Sequence, residues 1–134
     1  MKLDLTPLAN AIGRLEEGLT EYGRDTTNTL VRDGLVQRFE FTYEISHKML
    51  KRYLETTSPT PGEFDDIGFA DLIRSGSEQG LLLNDWSIWK NYRAMRGKTS
   101  HTYDEEVALA VVAGIPDFLA EARHLHQQLE KRLG

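Results

Sequence analysis

Arg96, His101 and Tyr103 bring a guanidinium, an imidazole and a phenol into one short stretch, RGKTSHTYDEE, residues 96–106. An imidazole titrates near neutral pH, so it can take or give the proton when a ribose 2′-hydroxyl attacks the adjacent phosphate. A guanidinium can hold that phosphate through two parallel hydrogen bonds and stabilise the charge of the transition state. Together they suit RNA cleavage without a metal. One such pair is thin, and two copies across a dimer seam make a fuller site. The segment WKNYRAMRGK adds Lys90, Arg93 and Lys98 with no acid among them, a basic edge on a chain of formal net charge −5. Those three cations are the candidate RNA phosphate contacts.

The elements around this stretch decide whether its groups can meet. In an unbroken helix Arg96 and His101 would point about 140° apart. Gly97 reads as a helix stop, and Thr102 with Glu105 reads as a capping box opening the next helix. A break there lets the two side chains converge, and Tyr103 then opens the last helix. The free N–H groups of that helix would lie close by and favour an anion. On the residues alone, the plainer reading comes first: a capped helix junction with an exposed basic rim.

Periodicity predicts helices throughout. Leu8, Ile12, Leu15, Leu19 and Tyr22 mark one from Thr6 to Arg24, with Pro7 in its first turn. A second, from about Leu30 to Glu55, is apolar on an unusually wide face. One row is Val36, Phe39, Tyr43, Ser46, Leu50 and Tyr53; another is Leu35, Thr42, Ile45 and Met49. That width predicts burial between neighbours and a second protomer. Glu40, Glu44 and Lys48 form a narrow polar line, in which Glu44 is expected to pair with Lys48. A short helix around Phe69 to Ile73, a glycine-rich bend and a helix capped by Asn84 follow. In that helix Trp89 or Ile88, Tyr92 and Met95 face inward, and the two tryptophans are expected to pack rather than stack on bases. Val107, Val111, Phe118, Ala122, Leu125, Leu129 and Leu133 define a last helix that Pro116 should bend. There is no alternating strand pattern. The fold class is all-α, a bundle of four main helices.

Composition narrows the function. The chain has 134 residues and no cysteine, which excludes disulfides and thiolate metal sites and favours a cytoplasmic location. No apolar run approaches the roughly 20 residues of a membrane span, so no membrane partner is expected. His124 and His126 lie two apart and share no helix face; Glu121 and Glu130 give each one carboxylate neighbour, too few ligands for zinc. These read as a solvated surface, so no metal is assigned. No serine has a nucleophile elbow, and no glycine pattern follows a strand, so no cofactor is expected.

The stretch from Arg96 to Tyr103, RGKTSHTY, fits the R-x4-H-x-Y signature of HEPN-domain proteins. RDGL from Arg32 to Leu35 and QRFEFTYE from Gln37 to Glu44 resemble the second helix of the HepT-like branch, also known as nucleotidyltransferase substrate-binding proteins. The similarity spans nearly the whole chain. It implies one HEPN-like helical domain over residues 1–134, a dimeric up-and-down bundle of four to five helices whose motifs share a cleft. It further implies a toxin, a metal-independent endoribonuclease with Arg96 and His101 as the catalytic pair. Its cognate minimal nucleotidyltransferase antitoxin would silence it by AMP transfer to Tyr103. The alternative is a non-catalytic substrate-binding subunit of a two-component nucleotidyltransferase. Two positions depart from the pattern. Gly97 stands where asparagine often follows the arginine, which removes a polar group from the motif. His47 stands where an aromatic such as tryptophan is common.

Overall fold

Leu8, Ala11, Ile12, Leu15 and Tyr22 occupy one stripe and are all buried, which makes Thr6–Arg24 an amphipathic helix, α1. The computed structural model describes residues 3–133, and among these there are helices and turns but no strand. Asn28 caps α2, Thr29–Thr57, by accepting from the Val31 amide at 3.1 Å. A 3-10 turn, Pro61–Phe64, leads into α3, Phe69–Glu78. Then come α4, Trp86–Lys98, a second 3-10 turn, Thr99–His101, and α5, Glu105–Leu133. The links are short, as an up-and-down bundle requires. No helix among the described residues is long and apolar enough to cross a membrane.

α2 runs through the middle. Its most extensive contact is with α1, and it also touches α3 and α5. Phe39 meets Phe118 of α5 edge-on at 5.1 Å, and Tyr92 of α4 meets the same ring at 5.2 Å. Trp89, Phe39 and Phe118 are fully buried. Burying a large apolar side chain of this kind contributes about 1.5–3 kcal/mol. The wide apolar face of α2 is therefore covered within one chain. Its width does not call for a second protomer.

Several local expectations are corrected. α3 runs past Ile73 to Glu78, because Gly76 is a packing position rather than a bend: a Cβ there would lie 3.0 Å from both Leu50 methyls. The turn falls instead at Gly80, at φ +74°, where the Leu81 amide donates back to the Gly76 carbonyl. Asp85, not Asn84, caps α4, accepting from the Ser87 amide at 2.9 Å. Trp89 is the inward residue of its pair, and Ile88 is 37% exposed. Gly97 does not stop α4, which continues to Lys98 and tightens into the 3-10 turn. Asp104 caps α5, accepting from the amides of Glu106 and Val107. Thr102 turns back to the Thr99 carbonyl and Glu105 reaches Arg32, so the expected capping box does not form.

Candidate active site

Arg96 is half-buried in the last turn of α4, facing α2. Its Nε donates to Glu44 Oε1 at 3.2 Å, and its Nη1 donates to Thr99 Oγ1 at 3.1 Å. Glu40 Oε2 lies 3.8 Å from the same Nη1. The second oxygen of Glu44 faces His47 Nε2 at 3.1 Å. The polar line of α2 thus finds its partner across a helix gap, and the expected Glu44–Lys48 pair gives way to Glu44–Arg96. A guanidinium with donors in a rigid fork competes well for carboxylates against a flexible ammonium.

His47 sits against the Tyr43 and Phe69 rings, with centroids at 5.3 and 5.4 Å. Burial pushes its imidazole below the ordinary value, although Glu44 pulls the other way. Burial likewise pushes the Tyr43 phenol up to about 12, so it stays neutral.

His101 closes the 3-10 turn and is exposed. Tyr103 lies just before the Asp104 cap rather than inside α5, and at 86% exposure its hydroxyl is open to solvent. The two rings stand 6.0 Å apart. The tightening of α4 into a 3-10 turn carries the chain from Arg96 to this exposed pair without a full break. The amides of Glu106 and Val107, expected to invite an anion, are occupied by the Asp104 carboxylate, and Glu105 and Glu106 crowd the same end. Positive charge comes from α4 alone. Lys90, Arg93 and Lys98 are exposed along it, with the Arg93 guanidinium 5.3 Å above the Phe69 ring. Trp86 is half-buried against Phe69, while Trp89 belongs to the core.

Two buried charges escaped sequence reasoning. Arg32 is buried and forms a bidentate pair with Glu105, at 2.9 and 3.1 Å, that ties the start of α5 to the start of α2. This pairing holds the Glu105 carboxyl below its usual range. Glu121 is fully buried and accepts from the Leu83 amide at 2.6 Å, the Asn84 amide at 3.1 Å and the Asn84 side chain at 3.1 Å. It is no surface neighbour of His124. Its carboxyl is pushed up by burial, against the pull of those hydrogen bonds. Register could have found both: Arg32 precedes Leu35 and Val36 on the inner face of α2, and Glu121 sits between Phe118 and Leu125 on that of α5.

The sequence profile of the family described as nucleotidyltransferase substrate binding protein like matches residues 3–131. The chain belongs to this HepT-like family. A Haemophilus influenzae protein named probable ribonuclease HepT is 40% identical over 139 aligned positions, covering 98% of this chain and 94% of its own. A solved Haemophilus influenzae structure, described as the fold of a substrate binding domain of a nucleotidyltransferase, superposes with a TM-score of 0.88 at 38% identity. That match covers 95% of this chain and 99% of the other. The all-helical bundle is thus a family property.

Proposed function

We propose that the chain is the toxin of a HEPN/nucleotidyltransferase pair, a metal-independent endoribonuclease acting in the cytoplasm as a homodimer of single HEPN-like domains. The observation that carries this reading is the junction itself: a half-exposed Arg96 held on two sides at the end of α4, followed after one 3-10 turn by an exposed His101 whose ring lies 6.0 Å from that of Tyr103, itself 86% exposed. The likeness to a probable ribonuclease supports it. Arg96 binds the scissile phosphate, and Lys90, Arg93 and Lys98 hold its neighbours. His101 takes the proton of the ribose 2′-hydroxyl, whose oxygen bonds to phosphorus. The bond to the 5′-oxygen breaks, that oxygen takes a proton from water as His101 releases its own to solvent, and a 2′,3′-cyclic phosphate remains.

Tyr103 is the AMP acceptor for the partner nucleotidyltransferase. The added phosphate would pair with Arg96, and the adenosine would fill the space RNA needs. Incubating the protein with RNA in EDTA tests the reaction. Cyclic-phosphate ends should form, and Arg96→Ala and His101→Ala should each abolish them with the circular dichroism unchanged. Co-expression with the partner should raise the intact mass by AMP units, an increment that Tyr103→Phe removes.

A second reading, a non-catalytic substrate-binding subunit of a two-component nucleotidyltransferase, is favoured by Gly97 and by the description of the solved relative. An inert wild type would support it. A Cβ at Gly97 would meet nothing within 4 Å, so Gly97→Asn fits and separates the readings. A gain of cleavage would locate the missing activity in that one side chain.

A further inference from the structure

Arg96 does not hang free in its cleft. Glu44 Oε1 holds its Nε at 3.2 Å and Thr99 Oγ1 holds its Nη1 at 3.1 Å. Thr99 is itself buried and fixed, donating to the Arg96 carbonyl at 2.8 Å. Nη2 makes no hydrogen bond to any described residue. Glu44 is backed in turn by His47, whose ring is wedged between Tyr43 and Phe69. A chain of contacts therefore runs from the aromatic core through His47 and Glu44 to the guanidinium, and ends on one unengaged amino group.

We propose that Glu44 is a positioning residue for the reaction, one that fixes the guanidinium of Arg96 so that Nη2 faces the phosphate, with His47 as its support. The inference rests on the nuclease reading above. An unrestrained arginine carries roughly 2 kcal/mol of side-chain entropy that phosphate binding would have to overcome. Here the protein fold imposes that order in advance. Glu44 and Glu40 also bring negative charge near the phosphate, an effect of opposite sign. Positioning is the larger effect because Glu44 and Thr99 fix the guanidinium plane through Nε and Nη1 and leave Nη2 without a partner, while Glu40 stands off at 3.8 Å.

The test uses the intact chain with RNA in EDTA. Glu44→Ala should lower kcat by about 100-fold, the scale on which small misplacements act, with a much smaller change in KM. Glu44→Gln, whose amide oxygen still accepts from Nε, should recover most of the loss. A readout independent of turnover is the Arg96 Nε–H resonance in nitrogen-15 NMR. It should exchange slowly with solvent in the wild type and in Glu44→Gln, and be lost in Glu44→Ala. A Glu44→Ala protein that cleaves as fast as wild type or faster, or that keeps the slow resonance, overturns the positioning role. An inert wild type, or an Arg96→Ala protein that still cleaves, overturns the nuclease reading instead. The resonance then still reports whether Glu44 orders Arg96.

Discussion

Among the glutamates that cross helix gaps in this bundle, Glu121 and Glu44 end on different kinds of partner. Glu121 leaves α5 fully buried and accepts from the amides of Leu83 and Asn84, groups that cannot move without moving the α3–α4 link. Glu44 leaves α2 half-exposed and is shared between the side chains of Arg96 and His47. Both are carboxylates with satisfied oxygens. The first is fixed to main chain and shut off from water, so it can serve only architecture. The second holds a cation at the solvent boundary, where a phosphate can compete for it. What separates a structural charge from a functional one here is whether its partner faces solvent.

The comparison breaks most visibly at Glu121. Glu121→Ala would strand three donors that face the interior and should lower stability by about 3 kcal/mol, read from urea unfolding. A loss near zero would mean that water replaces the carboxylate and that the site is not closed.

A smaller effect should appear with pH. The native state holds the His47 imidazole below its unfolded value, so the unfolded chain takes up a proton first as pH falls. The stability that His47 contributes is complete above about pH 6.5 and is lost as pH drops through its depressed native value. Glu44, which favours the charged ring, and Lys48 and Arg96, which oppose it, set the size of that loss. Glu121 has the opposite sign. Its raised carboxyl makes the native state bind the proton more readily, so its contribution weakens as pH rises from about 4.3. Unfolding curves of His47→Gln between pH 7 and 5 should be flatter than those of wild type. A variant as steep as wild type would show that His47 is not the group responsible.

The smallest effect belongs to Glu44. Glu44→Ala should change stability by no more than about 0.5 kcal/mol, because its pairs are half-exposed and solvent can take their place. A loss comparable to that of Glu121→Ala would erase the distinction between the two.

Much of this was legible beforehand, for identifiable reasons. The bounds of α1, Thr6 to Arg24, follow from one clean apolar stripe and a proline at its start. The R-x4-H-x-Y stretch sits at a helix junction with Tyr103 exposed, although neither the expected Gly97 stop nor the Thr102–Glu105 capping box makes that junction. What failed were inferences from local rules where distant partners win. An i,i+4 rule assigned Glu44 to Lys48, but Arg96 offers a better fork from another helix. A capping-box spacing assigned Glu105 to its own helix, but buried Arg32 claims it. The width of α2 is accounted for within the chain by α1, α3 and α5, so the case for a second protomer rests on other grounds. Periodicity along one element carries no count of how many neighbours surround it.

The capture of the Leu83 and Asn84 amides by Glu121 has a consequence for hydrogen exchange. Amides in a short link between helices ordinarily trade their protons with water almost at once. Here the Leu83 side chain is 51% exposed, yet its N–H is held 2.6 Å from a buried carboxylate oxygen. These two link amides should exchange as slowly as those in the middle of α5, released only when the whole bundle opens. A loop that looks loose from its side chains is, in its main chain, among the last parts of the molecule to let go.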